Sequence, residues 1–262
     1  MAALNAALLH AALLHRALLH VALLLAVASP ALLAQATAGS SRAERRAAAL
    51  AAPHELVVLA HGLGRTPVSM APLRRALETE GYEVMSFRYS SYCCPIAEIG
   101  EELRRELAAT VGPQHTRVHF VGHSLGNIVI RYVLTRDTLP PRVGKVVMLA
   151  PPNQGAHAAN RFAPLVGWLL RPVSELGSDS ASTVRLLPRV RNVPIGVIAA
   201  RDDRTVKIPE THLLEESAHL VVGGGHSFIM SRRDVKEQVV MFLRTGTFAM
   251  GTAVPVDVTR AP

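Results

Sequence analysis

The sequence has almost no cysteine: its only two, Cys93 and Cys94, are neighbours in a chain of 262 residues. Adjacent cysteines can join only in a small strained ring, so no disulfide framework staples distant segments. They also lack the paired spacing of a zinc site, and read as two small, semi-buried side chains following a strand. Aromatic residues are scarce as well, at 4% with a single tryptophan. The net charge of +8 comes from dispersed arginines, with no basic run interleaved with aromatics and no recognisable nucleic-acid module. The excess reads as codon bias toward arginine, with peripheral contact to anionic membranes as the alternative. No metal-ligand spacing is present, and no metal is expected.

Met1–Ala36 contains no acidic residue and is nearly all Ala, Leu, Val and His. Arg16 and the amino terminus supply positive charge, an apolar stretch runs over Val21–Ala28, and Ala34-Gln35-Ala36 follows Pro30. That order is the pattern of a secretory signal cleaved after Ala36, which implies an exported protein, periplasmic or secreted. A membrane anchor is the alternative, but His20 and Pro30 interrupt a span that would need about 20 apolar residues. No cysteine follows the apolar core, which excludes lipoprotein attachment. Residues 37–52, rich in Ala, Ser and Arg, read as a linker or a short surface helix.

From residue 53 to 248 apolar runs alternate with amphipathic stretches, the pattern of βα units on a parallel sheet. Strands are expected at Glu55–Ala60, Tyr82–Tyr89, Thr116–Val121, Val143–Ala150, Pro194–Ala200 and His219–Val222. Helices are expected at Val68–Glu80, Ile96–Thr110, Leu125–Thr135 and Arg232–Arg244. The alternation fails over about 152–188, a stretch too long for a βα loop that reads as a short cap. Its Leu165, Trp168, Leu169 and Leu170 read either as an apolar wall suited to an acyl chain or as a cover over the core. Residues 249–262 carry no core pattern and read as a tail.

Gly122-His123-Ser124-Leu125-Gly126 lies between an apolar strand and an apolar-faced helix, the context of a nucleophile elbow. Such a turn forces Ser124 into a sparsely allowed backbone conformation, and side chains at 122 and 126 would clash there. Acyl transfer also needs two backbone N–H groups aimed at the developing oxyanion. Leu125 supplies one, and Leu63, within His61-Gly62-Leu63-Gly64, is the candidate for the other. His61 reads as packed under its loop rather than as a base.

A serine hydroxyl needs a histidine to take its proton, and that histidine needs a carboxylate on its other nitrogen. Of the histidines after Ser124, His226 follows the strand Leu220-Val221-Val222 and three glycines, at the end of the sheet where α/β ligand sites lie. Asp202 and Asp203 both follow the fifth strand; Asp203 is favoured as the acid, with Asp202 the alternative.

These motifs, with Pro151-Pro152-Asn153-Gln154-Gly155 and Asp203-Arg204-Thr205-Val206, resemble the α/β-hydrolase superfamily, and within it small bacterial lipase- and esterase-like proteins. The resemblance implies a three-layer α/β-hydrolase fold, a Ser124–Asp203–His226 triad and an oxyanion hole at Leu63 and Leu125. It further implies that Asn153, in the Asn153-Gln154-Gly155 turn, lies at the active-site rim; with Trp168 and Leu169 of the cap it is a candidate substrate-binding residue, and the acyl-transfer chemistry needs no cofactor. Two departures stand out. Asn127 occupies a position where lipases commonly carry another glycine, a change expected to loosen the elbow helix, and Ala200 replaces a frequent glycine before the acid. The implied activity is hydrolysis of a small-molecule or lipid ester. The alternatives are acyl transfer or thioester hydrolysis by the same triad, or a catalytically silent binding protein of the same fold.

Overall fold

In the computed structural model the described residues are 54–136, 142–160, 171–178 and 182–249. The signal and linker segments, all but Ala249 of the expected tail, and the cap residues Leu165, Trp168, Leu169 and Leu170 lie outside them.

Six strands form one sheet in the order β2-β1-β3-β4-β5-β6, every neighbouring pair parallel. They are β1 (His54–Ala60), β2 (Glu83–Ser86), β3 (His115–His123), β4 (Val143–Leu149), β5 (Ile195–Ala200) and β6 (Ala218–Val222). Side chains on a strand alternate between faces, and β1 shows the consequence. Leu56, Val58 and Ala60 join one buried cluster, while Val57 and Leu59 join the other. The first cluster lies beneath helices α2 (Ile96–Thr110) and α3 (Leu125–Leu134), and the second beneath α1 (Ala71–Thr79) and α7 (Arg233–Thr245). This is the expected three-layer arrangement. Each fully buried Leu, Ile, Val or Phe in it contributes about 1.5–3 kcal/mol.

Three differences from the expected elements have local causes. The first helix does not run from Val68. A 3-10 turn at Pro67–Met70 precedes α1, and Pro72, which lacks an N–H, is tolerated in the first turn of α1. The second strand pairs only as far as Ser86, its last bond running from the Phe87 amide to the Leu59 carbonyl at 2.9 Å, and Phe87 and Tyr89 are buried beyond it. Cys93 and Cys94 are not two separate side chains but are joined to each other. Their loop abuts the cap, because the Arg171 amide donates to the Tyr92 carbonyl at 3.1 Å. The described part of the cap holds two short helices, α4 (Arg171–Glu175) and α5 (Thr183–Leu186). Between β5 and β6 lies the one-turn α6 (Ile208–Thr211). Among the described residues no helix is long and apolar enough to cross a membrane.

Candidate active site

Because all six strands run parallel, their C-terminal ends and the loops that follow them lie at one end of the sheet. The loops after β1, β3, β5 and β6 meet there. The turn after β3 is the tightest. Ser124 has φ 50° and ψ −120°, a conformation unfavourable for any residue with a side chain. A Cβ on Gly126 would stand 2.3 Å from the Ala60 carbonyl oxygen, and one on Gly122 would stand 2.4 Å from Asn127 Oδ1. Both glycines are therefore required by close approach, as the elbow motif implied.

What holds the strained turn was not read from the sequence. Asn127 is fully buried, and its Nδ2 donates to the Ser124 carbonyl at 3.2 Å and to the Leu149 carbonyl at 3.0 Å. In place of the expected loosening, Asn127 ties the Ser124 backbone to the end of β4. A third glycine could donate nothing there.

Ser124 Oγ lies 2.9 Å from His226 Nε2, and His226 Nδ1 lies 2.6 Å from Asp203 Oδ2. The other carboxylate oxygen of Asp203 accepts the amides of Thr205 and Val206 at 2.7 and 2.8 Å. Burial pushes the Asp203 carboxyl up, but the His226 hydrogen bond and charge, with those two amides, more than reverse this. The group is held below the usual carboxylate range. Asp202 is exposed and turns instead to the Gly224 amide, which it accepts at 3.2 Å. Of the two adjacent acids, Asp203 is the one that meets His226. The other histidines after Ser124 have partners of their own: His157 and His212 contact Glu210 and Glu216, and His219 contacts Thr211.

The amides of Leu63 and Leu125 donate to no group among the described residues, and Leu63 lines the space above Ser124. The neighbouring Gly64 amide is instead taken up by Ser91 Oγ at 2.9 Å. Because α3 begins at Leu125, its positive end also faces this space. His61 is buried beneath its loop, its Nδ1 3.0 Å from the Gly62 carbonyl and its ring stacked 4.1 Å from Tyr89. His123 is a further component that sequence reasoning passed over, although it is the variable residue of the elbow motif. Its Nε2 reaches the His226 carbonyl at 3.0 Å. Burial, with the neighbouring His226 charge, pulls its pKa down to about 3, so the ring stays neutral and can donate that bond.

A cavity of about 480 Å³ lies over Ser124 and His226. Leu63, Ala156, Ala159, Val173, Leu176 and Val206 give it an apolar wall, while Arg65 and Arg204 contribute positive charge and no acidic side chain among the described residues lines it. Asn153, expected at the rim, does not line this cavity. Its side chain is buried, donating to the Thr211 carbonyl at 2.8 Å and accepting from Arg131 at 3.4 Å. A short polar side chain just after a core strand is drawn to the backbone groups it can satisfy there. Pro152 and Ala156, on either side of it, face the cavity instead.

The model of the alpha/beta hydrolase family matches residues 57–204 of this chain. No curated protein matches it. Among solved structures, a metagenomic carboxyl esterase is similar over 67% of this chain and 65% of its own, just under two thirds of its length, at 19% identity and a TM-score of 0.56. A lipase-esterase related protein from Clostridium acetobutylicum is similar over 72% of this chain and 94% of its own, at 18% identity and a TM-score of 0.51. An esterase from Pyrococcus furiosus is similar over 72% and 82%, at 21% identity and a TM-score of 0.53. At these identities the likeness is one of fold.

Proposed function

The chain belongs to the alpha/beta hydrolase family, and on that premise we propose that it hydrolyses carboxylic esters through an acyl-enzyme at Ser124. The observation that carries this reading is the unbroken line from Asp203 through His226 to Ser124 Oγ, with contacts of 2.6 and 2.9 Å. That line ends under a cavity with an apolar wall.

Ser124 Oγ attacks the ester carbonyl carbon as His226 Nε2 takes its proton, and Asp203 stabilises the imidazolium that forms. The carbonyl oxygen becomes an oxyanion held by the Leu63 and Leu125 amides, each such donor being worth about 10²–10³ in rate. The imidazolium gives its proton to the departing alcohol, leaving acyl-Ser124. Water, deprotonated by His226, then attacks the acyl carbon and releases the carboxylic acid with Ser124 restored. His123, by holding the His226 carbonyl, keeps the base in register; it is a positioning residue. The alanines of the wall leave room for an acyl chain, and Arg65 and Arg204 disfavour cationic esters. No step calls on a cofactor. Met1–Ala36 is proposed as the export signal of this enzyme.

An alkyl fluorophosphonate probe applied to the full chain tests the reading. Wild type is expected to be labelled and Ser124→Ala not; an unlabelled wild type overturns it. p-Nitrophenyl esters of rising chain length, set beside a thioester of the best acyl group, then define the substrate.

A further inference from the structure

A second cavity, of about 200 Å³, borders the loop after β4 on a different set of side chains from those around Ser124. Arg131 of α3, Arg185 of α5 and Arg189 enter its wall together with Asn153, Gln154 and Glu215. Three guanidinium groups against one carboxylate leave it with two positive charges.

Arg131 is the unusual member. It is only 4% exposed, and a buried charge is costly unless it is paired and its donors are satisfied. Of its five N–H donors, those on Nη1 reach the Asn153 carbonyl at 3.2 Å and the Asn153 side-chain oxygen at 3.4 Å. Both acceptors are neutral. Its Nε is buried with no partner. Among the described residues no carboxylate forms an ion pair with Arg131, Arg185 or Arg189, although the other arginines of the chain supply several such pairs. Glu215, the acid of the wall, accepts the Val190 amide at 2.9 Å. Its charge supports Arg131, but burial outweighs it and pulls the Arg131 pKa down to about 10. A desolvated guanidinium whose buried Nε has no partner thus stands at the wall of a concave space, with two further guanidinium groups free of ion pairs beside it.

We infer that this cavity binds a small oxyanion of the phosphate type, with Arg131 as its buried anchor and Arg185 and Arg189 as its outer contacts. A tetrahedral oxyanion offers pairs of acceptors that match the planar guanidinium fork, and its charge offsets the surplus of the wall. The anion would also share Arg131 with the Asn153 loop. That loop carries Pro152 and leads to Ala156, both of which line the Ser124 cavity, so the site lies one loop away from the proposed chemistry without being part of it. The phosphate group could arrive as the free ion or as the exposed head of a larger molecule, and soluble probes separate the two sources.

The test is calorimetric and thermal-shift titration of the full chain with sodium phosphate, and separately with glycerol 3-phosphate, at ionic strength held constant with sodium chloride. Wild type is expected to show a saturable rise in melting temperature with phosphate that chloride does not give. Arg131→Gln and the paired variant Arg185→Ser/Arg189→Ser are each expected to weaken binding at least tenfold. Glycerol 3-phosphate binding at least as tightly would assign the source to a phosphorylated head group, and tighter binding of inorganic phosphate to the free ion; either supports the site. The inference is overturned if wild type responds to phosphate no more than to chloride, or if both variants respond as wild type does. Should Arg131→Gln not fold, the exposed Arg185/Arg189 pair decides by itself. None of these readouts depends on turnover, so an inactive Ser124 and an empty anion site would be told apart.

Discussion

Replacing Asn127 by glycine restores the residue that lipases commonly carry at this position, and the structure assigns that change a cost. The variant loses two hydrogen bonds, from Nδ2 to the Ser124 and Leu149 carbonyls, each worth about 1 kcal/mol net. Neither carbonyl is orphaned, because Ser124 O still accepts the residue-127 amide and Leu149 O still accepts the Ser124 amide, both at 3.0 Å. The full penalty for a buried unsatisfied acceptor therefore does not arise. One term runs the other way: Asn127 Oδ1 is itself buried without a partner, and its removal returns about 1 kcal/mol. Glycine in the first turn of α3 then costs about 1 kcal/mol relative to alanine. The balance is a loss of about 1 kcal/mol for Asn127→Ala and about 2 kcal/mol for Asn127→Gly. For a domain of this size that corresponds to a fall in melting temperature of about 2–4 °C and about 4–8 °C. Because the lost bonds hold the strained Ser124 turn itself, labelling of Ser124 by the fluorophosphonate should slow as well, by about tenfold, given how steeply rate depends on sub-ångström placement. Thermal melts and timed labelling of the three proteins measure both effects. A glycine variant as stable and as quickly labelled as wild type would refute the clamp and restore the view that position 127 only fills space.

The two adjacent acids should separate sharply. Asp203→Asn is expected to lower kcat by about 10⁴-fold by disfavouring the His226 tautomer and charge that the reaction needs. Asp202→Asn, whose carboxylate only accepts the Gly224 amide, should stay within about threefold; p-nitrophenyl ester kinetics of both variants check this, and a reversed ranking would move the acid to Asp202. Acid stability should carry the mark of His123. Its folded-state pKa, about 3, lies below the ordinary histidine value, so the unfolded chain binds the proton more readily. Stability should then fall as the pH drops from about 6 toward about 4, with His123 alone contributing about 1.4 kcal/mol per pH unit. Half-exposed His219, lowered to about 4 chiefly by burial, adds less, and Asp203, held low, loses its contribution only at more acid pH. His123→Gln should flatten the slope of unfolding free energy against pH by about that amount, and parallel slopes would rule out a buried neutral His123.

Much of this protein was legible in the chain itself because the signals are local. A strand buried on both faces needs an unbroken apolar run, as in Leu56–Ala60, and a helix packed on it needs its own period; the three-layer sheet follows from those runs and the connections between them. The elbow was readable for the same reason, since the clashes that demand Gly122 and Gly126 arise from backbone within a few residues or in the strand alongside. The order of serine, acid and histidine, each after a strand, restricted the candidates to four residues.

What the tertiary structure decided are the pairings between segments far apart in sequence, where one residue of register or one rotation of a side chain selects the partner. The sequence favoured Asp203 over its neighbour Asp202 without separating them, and the turn after β5 sends Asp203 inward to His226 and Asp202 out to Gly224. Asn153 belonged to a plausible rim motif, but the nearest unsatisfied groups were the Thr211 carbonyl and Arg131, and a buried polar side chain goes to what it can bond. Asn127 looked like a lost glycine until the Leu149 carbonyl came within its reach. The adjacent cysteines were likewise a question of loop conformation, and that loop brings Cys93 and Cys94 together. Sequence determined where strands, turns and reactive residue types fall, because those depend on neighbours along the chain. The fold determined which of them touch, because that depends on neighbours in space.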